Sequence, residues 1–266
     1  SLFMCHMAGA SLNQGLNVLY ITMEMAEERI AERIDANLLN LTMDELKVID
    51  RDIYEGRIEK VAKKTKGKLI IKEYPTASAH TGHFRALLEE LKLKREFKPD
   101  IIFIDYLNIC ASQRMKQSAN VNSYTYVKAI AEEIRGLAVE YNVPIVSATQ
   151  TTRSGFTNSD PGLEDTSESF GLPATADFMF ALVSNEELEA LNQIIVKQLK
   201  NRYNDPSFYK RFVIGIDRAK MKLYDVEASA QTGLSDAGQD DDDVPMFDKS
   251  TFGRRQKAES FEGFKF

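Results

Sequence analysis

Residues 101–105 read Ile-Ile-Phe-Ile-Asp, and this short stretch decides the fold. The apolar, β-prone run predicts a strand of the kind found in parallel sheets. Asp105 stands where that strand ends, and open α/β sheets bind their ligands outside the carboxyl ends of the strands. We therefore predict a parallel sheet whose functional edge includes Asp105.

The same pattern repeats outward from this strand. Apolar runs at 16–23, 69–74 and 144–148 alternate with longer amphipathic stretches, and this alternation predicts an α/β fold built from βαβ units. Helices that would cover both faces of the sheet are predicted over 26–39, 44–64, 81–94 and 124–141. Later strands, which we expect to extend the sheet partly through antiparallel pairing, are predicted at 178–183, 194–199, 212–216 and 221–224.

Composition excludes several classes of protein. The chain has 266 residues, 43% of them apolar, which is enough for a substantial core. No uncharged apolar run approaches the roughly 18 residues of a bilayer span. The first residues lack the pattern of a signal peptide. We therefore expect a cytoplasmic protein, located in the host cell if a phage encodes it, with no membrane partner.

Few residues in the sequence have the chemistry and spacing to bind a resident metal ion. Cys5 and Cys110 are the only cysteines, and neither forms a Cys-x-x-Cys pair, so both are expected to be buried, reduced thiols. His80 and His83 have the spacing of a metal-binding pair, but no nearby residue completes a ligand set.

The net charge of -6 does not indicate a nucleic-acid binder, so DNA contacts would need local cations.

The composition changes near the C-terminus. We predict a folded domain over 1–226 and an acidic, disordered tail over 227–266, which contains the run Asp240–Asp243 and isolated phenylalanines. The tail is either a docking segment for partners or a purely solvating segment.

Three predicted strands end near a polar residue that nucleotide hydrolysis can use: Glu24, Asp105 and Gln150. An acidic residue after a strand can also be a simple helix cap. Four apolar residues followed by Asp105 form a Walker B pattern, whose carboxylate holds the water shell of magnesium. Glu24 would polarise the attacking water, and Gln150 would sense the terminal phosphate.

The phosphate-binding loop Gly-x-x-x-x-Gly-Lys-Ser/Thr does not occur in the sequence. The opening residues instead suit the helix that follows such a loop, and that helix leads directly to the strand before Glu24. We expect Ser1 to be the last residue of the loop, with its hydroxyl on magnesium. ATP and Mg²⁺ are the predicted cofactors, and this polypeptide alone should hydrolyse ATP poorly.

Over residues 1–226 the chain resembles the C-terminal motor of the DnaB-like replicative helicases, and most of all the T-even phage members. The resemblance lies in the order of five motifs, at 20–25 (Tyr-Ile-Thr-Met-Glu-Met), 104–107 (Ile-Asp-Tyr-Leu), 142–144, 149–153 and 197–204. It implies a RecA-like P-loop NTPase core and an ATP-dependent DNA helicase. It also implies a homo-hexamer with ATP at the subunit junctions, and primase, loader or other replisome proteins as partners.

The resemblance further implies a role for Lys200 and Arg202, which would reach into the nucleotide site of the neighbouring subunit. Alternate residues on a strand point the same way, so both cations can act together on the transferred phosphoryl group. The alternative interpretation is a solvated pair of charges at the edge of the sheet.

In this family two loops hold single-stranded DNA. The first spans 112–123 and carries Arg114 and Lys116, and the second spans 153–173. The candidate contacts in the second loop are Arg153, Ser167, Glu168, Ser169 and Gly171. Bacterial relatives have an arginine at the place of Ser167, so this chain departs from the family pattern there. The alternative interpretation of the first loop is a plain solvated connector.

Three functions remain open at this stage. The leading one is an ATP-driven helicase that translocates on single-stranded DNA and unwinds duplex DNA at the replication fork. The second is a RecA-type recombinase or a clock-type ATPase. The third is a RecA-like subunit that binds DNA or partners without hydrolysis.

Overall fold

The computed structural model describes residues 1–116, 121–151, 161–163, 171–205 and 210–231, all within one compact unit that spans 1–234. Its first half contains α1 (Leu2–Asn13), β1 (Val18–Thr22), α2 (Glu27–Leu39), α3 (Met43–Val48), α4 (Arg51–Lys64), β2 (Leu69–Glu73), α5 (Thr81–Arg95) and β3 (Ile101–Asp105). Its second half contains a 3₁₀ turn (Leu107–Ile109), α6 (Ser123–Tyr141), β4 (Ile145–Ser147), α7 (Gly171–Thr175), β5 (Phe178–Val183), α8 (Glu186–Ala190), β6 (Gln193–Asn201), β7 (Arg211–Asp217), β8 (Lys222–Asp225) and α9 (Ala228–Gln231).

The first sheet is parallel, with the strand order β2-β1-β3-β4. Strands β1 and β3 lie side by side, with Val18 opposite Ile101 and Thr22 opposite Asp105. Side chains alternate between the two faces of each strand, and both faces are buried. One face belongs to the core cluster shared with α5 and α6, and the other belongs to the cluster shared with α1 and α2. The predicted parallel sheet with helices on both faces is confirmed.

The helix predicted over 44–64 is two helices. Ile49 has an extended backbone, with φ -63° and ψ 138°, and it separates α3 from α4. Asp50 then caps α4, because its side chain accepts a hydrogen bond from the Asp52 amide at 2.9 Å. The helical periodicity of the sequence continues across this break, but the extended backbone of Ile49 ends α3 and the Asp50 cap starts α4. None of the helices in the described ranges combines the length and apolar character required to cross a bilayer.

The later strands form a second sheet, with the antiparallel order β5-β6-β7-β8. The antiparallel pairing is as predicted, but in the described part of the chain these strands do not extend the first sheet. The chain leaves β4 through a long segment and enters β5 from α7. Because no tight turn joins β4 to β5, strand spacing in the sequence could not fix the pairing.

The predicted boundary between domain and tail, at residue 226, stays a prediction. Gln231 lies beyond that boundary and is held against β7. Its side-chain amide donates to the Val213 carbonyl at 2.8 Å and accepts from the Val213 amide at 2.9 Å. Residues 232–266 lie outside the described part of the chain.

Candidate functional site

The carboxyl ends of β1, β3 and β4 meet at one edge of the first sheet, and the three predicted polar residues lie there. Asp105 ends β3 beside Thr22, and Glu24 is the second residue after the end of β1. The end of β4 is tied to β3, because the Ser147 hydroxyl donates to the Ile104 carbonyl at 2.8 Å. The parallel sheet therefore brings the segments carrying Glu24, Asp105 and Gln150 to a common edge.

Asp105 is the buried member of this group, with 2% of its surface exposed. Its Oδ2 accepts a hydrogen bond of 2.9 Å from the hydroxyl of Tyr20, which is itself fully buried. Burial, followed by the nearby Cys5 and Asp105, raises the pKa of Tyr20 well above its ordinary value. The phenol therefore stays protonated and acts as a donor to the carboxylate.

Glu24 is exposed, and it lies in a turn whose backbone is held by hydrogen bonds. The Thr22 hydroxyl donates to the Met25 carbonyl at 2.7 Å and accepts from the Met25 amide at 3.2 Å. The Met23 amide donates to the Asp105 carbonyl at 3.1 Å, which ties the turn to β3. These bonds fix the backbone on both sides of Glu24 and leave its carboxylate facing solvent.

Tyr106 contacts Gln150 and lies within electrostatic reach of Glu24 and Asp105, an arrangement that the sequence did not indicate. The Gln150 amide donates to the Tyr106 hydroxyl at 3.3 Å. Burial, and then the negative charges of Glu24 and Asp105, raise the pKa of Tyr106. The peptide bond between Asp105 and Tyr106 is cis. Tyr106 belongs to the motif at 104–107 that carries the family resemblance, but the motif did not indicate its contact with Gln150.

The oxygen donors at this edge fit magnesium bound to a nucleotide. The described residues contain no cluster of three or more His, Cys, Asp or Glu side chains that could enclose a bare metal ion. Magnesium typically takes only one or two carboxylates and completes its shell with waters and phosphate oxygens. Asp105 could supply such a carboxylate, and Ser1, exposed at the N-cap of α1, carries a hydroxyl that could act beside it.

His80 and His83, considered above as a metal pair, form a helix cap. The ring of His80 accepts from the Gly82 amide at 3.0 Å, and the ring of His83 accepts from the His80 amide at 3.2 Å. Each ring thereby satisfies a backbone donor at the start of α5.

Lys200 and Arg202 lie at the end of β6 and contact their own chain. Lys200 Nζ donates to the carbonyls of Pro173 at 2.5 Å and Ala174 at 3.2 Å. Arg202 donates to the Ala174 carbonyl at 3.0 Å and pairs with Asp177 at 2.5 Å. Burial, and then the charge of Arg202, lowers the pKa of Lys200. Both cations thus engage the C-terminal end of α7.

Asp177 and Arg135 belong to the same cluster, and sequence reasoning missed both. Arg135, from α6, pairs with the Asp177 carboxylate at 3.0 Å, on the same oxygen that Arg202 contacts. One carboxylate therefore faces two guanidinium groups. The cluster connects α6, the end of α7 and β6, so it joins the end of the second predicted loop to the two predicted trans-acting cations.

The start of the first predicted DNA loop is fastened to α6. Arg114 pairs with Glu132 at 2.8 Å and Glu133 at 3.3 Å, and it donates to the Ala129 carbonyl at 3.0 Å. This arrangement differs from an arginine held out toward DNA, because much of its donor capacity is used within the chain. Lys116 is exposed.

Glu133 is the anchor of this loop, with a side chain that is 7% exposed. It accepts from the Ser112 hydroxyl at 2.5 Å and from the amides of Gln113 at 2.8 Å and Arg114 at 3.2 Å. Burial opposes ionisation, but the hydrogen bonds from these three residues lower the pKa of Glu133 below its ordinary value. An anchoring carboxylate distant in sequence from the loop gave no signal in the sequence.

Most of the second predicted loop lies outside the described residues, including Arg153, Ser167, Glu168 and Ser169. Gly171 is described and is buried at the start of α7. A Cβ at this position would come within 2.6 Å of the Lys128 side chain. Gly171 therefore faces α6, and its predicted contact with DNA stays a prediction.

Comparison with known proteins gives one family and several relatives. The model of the DnaB-like helicase C-terminal domain matches residues 1–207. A DnaB-like replicative helicase of Enterobacteria phage T4 is 47% identical over 230 residues, which are 85% of this chain and 48% of that protein. A probable plasmid replicative DNA helicase of Chlamydia psittaci is 30% identical over 202 residues, covering 72% of this chain and 42% of that protein.

Solved structures share the fold. A solved ATPase domain superposes with a TM-score of 0.68 at 18% identity, covering 85% of this chain and 80% of that domain. A DnaB-like replicative helicase, studied with its interactions with primase, superposes with a TM-score of 0.67 at 17% identity, covering 85% of this chain and 54% of that protein. The chain spans about half the length of the curated relatives quoted above.

Proposed function

This chain belongs to the family of DnaB-like helicase C-terminal domains, and from that premise we propose that it is the ATP-hydrolysing motor of a replicative DNA helicase. The motor translocates on single-stranded DNA as a hexameric ring and unwinds duplex DNA at the replication fork. The observation that carries this proposal is the placement of Glu24 and Asp105 at the ends of neighbouring parallel strands.

The proposed chemistry divides between these two carboxylates. Asp105 and the Ser1 hydroxyl would hold magnesium together with its waters, and the ion would supply positive charge at the phosphates of ATP. Glu24 accepts a hydrogen bond from the attacking water and orients it toward the terminal phosphate. The exposed position of Glu24, on a turn with a fixed backbone, supports this role.

Gln150 is the proposed sensor of the terminal phosphate. Its side-chain amide bonds the Tyr106 hydroxyl, and it stands at the start of the segment that leads to the second loop. Exchange of that hydrogen bond for one to phosphate would signal to the loop whether ATP is present.

Catalysis is proposed to need a second subunit. Lys200 lies near the end of β6 and Arg202 follows the strand, both contact the Ala174 carbonyl, and in a ring they would act on the nucleotide of the neighbouring copy. An arginine supplied in this way contributes roughly 10³- to 10⁵-fold in rate. The contacts with Pro173, Ala174 and Asp177 would have to be exchanged for contacts with the neighbour's nucleotide.

DNA binding is assigned by proposal to the two loops. Lys116 on the first loop, and Arg153, Ser167, Glu168 and Ser169 on the second, are the proposed contacts with the phosphate backbone. Arg114 and Gly171 complete the proposed DNA-binding set. Arg114 is proposed to shape the first loop, and Gly171 to set the path of the second. Replisome proteins such as primase or a loader are the proposed partners, in the cytoplasm of the host.

The 266 residues contain no Gly-x-x-x-x-Gly-Lys-Ser/Thr loop. We therefore expect a polypeptide limited to these residues to hydrolyse ATP poorly, because no lysine of that motif neutralises the phosphates. Tests of the motor should use the full-length protein.

The decisive experiment compares full-length parent protein with Glu24→Gln. The parent should hydrolyse ATP faster when single-stranded DNA is added, and Glu24→Gln should lower kcat by about 10²-fold or more because the amide is a poor acceptor for the water proton. Nucleotide binding should persist. The matched control is Glu28→Gln, an exposed carboxylate on the following helix α2.

Equal turnover in Glu24→Gln and the parent would remove the assignment of Glu24. Absence of DNA-stimulated turnover in the parent would remove the motor assignment. Electron microscopy with nucleotide distinguishes the proposed closed six-membered ring from the filament that a recombinase would form.

A further inference from the structure

We propose that Tyr20 is a positioning residue for Asp105, because its buried hydroxyl holds one oxygen of the carboxylate and so assigns the other to the magnesium shell. The proposal rests on the proposed function. The pattern of a buried strand does not require a hydroxyl at this place in β1, where any large apolar residue would be accommodated.

The register of the sheet creates this contact. Tyr20 lies opposite Phe103, and Thr22 lies opposite Asp105. Since side chains alternate along a strand, Tyr20 shares the face that carries Phe103 and Asp105. The phenol therefore extends along the sheet toward the strand end and donates to Asp105 Oδ2 at 2.9 Å.

Tyr20 itself is held in place. Its ring stacks on Phe103, with centroids 5.8 Å apart and an angle of 19° between the planes. The Cys5 thiol of α1 lies 3.9 Å from the Tyr20 oxygen as a weak donor. All three side chains are buried, and water does not compete for the phenol. Packing therefore holds the Tyr20 side chain in one conformation, with its hydroxyl in place as a donor to Asp105.

A fixed donor matters because a carboxylate has two equivalent oxygens. The hydrogen bonds of the described residues engage Oδ2, so Oδ1 remains for the ion and its waters. Groups that orient a metal ligand typically change metal affinity or activity by about 10- to 100-fold when removed. A role limited to satisfying a buried polar atom would instead change folding stability alone.

The test substitutes Tyr20→Phe in the full-length protein, which removes the hydroxyl and keeps the ring. Binding of a fluorescent ATP analogue is titrated with Mg²⁺, and ATP turnover is measured over the same range. We expect the Mg²⁺ concentration at half-saturation to rise by about 10-fold, while analogue binding without Mg²⁺ is unchanged. Turnover at saturating Mg²⁺ should recover most of the parent kcat.

The chain offers a matched control. Tyr54 also donates its hydroxyl to a carboxylate, at 2.7 Å to Asp35, and this pair joins α4 to α2. Tyr54→Phe should lower the melting temperature by an amount similar to Tyr20→Phe and leave the Mg²⁺ half-saturation at the parent value. A second variant, Phe103→Leu, loosens the Tyr20 ring without removing its hydroxyl and should raise the Mg²⁺ half-saturation by a smaller factor than Tyr20→Phe.

Three outcomes separate the possibilities. A parent-like Mg²⁺ half-saturation in Tyr20→Phe, with a lowered melting temperature, overturns the positioning role while leaving the motor intact. An unchanged half-saturation in Phe103→Leu overturns it if Tyr20→Phe does not fold. A parent protein that neither binds nor hydrolyses ATP refutes the proposed function itself, whatever the variants do.

Discussion

At the scale of single residues, Asp105 is a carboxylate that is buried at the edge of the parallel sheet and needs a hydrogen-bond partner there. Burial of a charge is costly unless hydrogen bonds compensate it, and the Tyr20 hydroxyl supplies such a bond. Glu24, by contrast, faces solvent, where a carboxylate needs no such partner. These environments are compatible with the two roles proposed above, ion binding for Asp105 and contact with the attacking water for Glu24.

We predict that Gln150 couples ATP hydrolysis to the binding of single-stranded DNA. We expect Gln150→Ala to keep basal ATP hydrolysis within about 10-fold of the parent while abolishing most of the stimulation by single-stranded DNA, because the amide that reports the phosphate is gone. The measurement is ATP turnover with and without an oligonucleotide. Tyr106→Phe, which removes only the partner of the amide, should reduce the stimulation less. Full stimulation in Gln150→Ala would contradict the sensor role.

At the scale of secondary-structure elements, α6 organises the regions around the site. Through Glu133 it holds the start of the first loop, and through Arg135 it holds the Asp177 cluster at the end of α7. The two loops proposed to bind DNA are therefore both attached to one helix. A displacement of α6 would reach both loops, which gives the fold a direct physical connection between them.

Glu133 should stabilise the fold in a pH-dependent way. Its pKa is lowered in the folded protein, so its contribution is present above the pKa of the unfolded chain, about 4.3, and is lost as pH falls through the folded pKa. At pH 7 we expect Glu133→Ala to cost about 1–3 kcal/mol of unfolding free energy, because Ser112 and two amides lose their acceptor. Denaturant titrations at pH 7 and below pH 4 measure the difference.

The exposed Glu132 provides the control for that measurement. It shares Arg114 with Glu133, but its side chain is 42% exposed, so Glu132→Ala should cost less than about 1 kcal/mol. A Glu133→Ala penalty of the same size at both pH values would show that the carboxylate charge does not contribute.

At the scale of the whole molecule, the fold separates two sets of proposed catalytic groups. Glu24, Asp105 and Gln150 lie at the edge of the parallel sheet, whereas Lys200 and Arg202 lie on the antiparallel sheet and engage α7. Under the proposed ring, each active site would combine the first set of one copy with the second set of its neighbour. Assembly and catalysis would then be inseparable.

Mixing two inactive full-length variants tests this arrangement. Glu24→Gln and Arg202→Ala should each be nearly inactive alone, and mixed rings should regain a measurable fraction of parent turnover, because some junctions contain both intact residues. The expected loss for Arg202→Ala alone is about 10³-fold or more. The control mixes Glu24→Gln with Asp105→Asn, which alter the same set and cannot complement each other. No recovery in the first mixture would place both residues in one subunit's site.

The sequence by itself determined the strands of the parallel sheet, their polar ends and the family, because burial and strand-end chemistry are recorded locally in residue types and their spacing. It missed the break at Ile49 and the separation of the two sheets. Only the tertiary structure decided which distant residues meet, such as Tyr20 with Asp105, 85 positions away, and Arg114 with Glu133. Periodicity reports that a side chain is buried or exposed, but its partner is selected by strand register and helix packing across the whole chain.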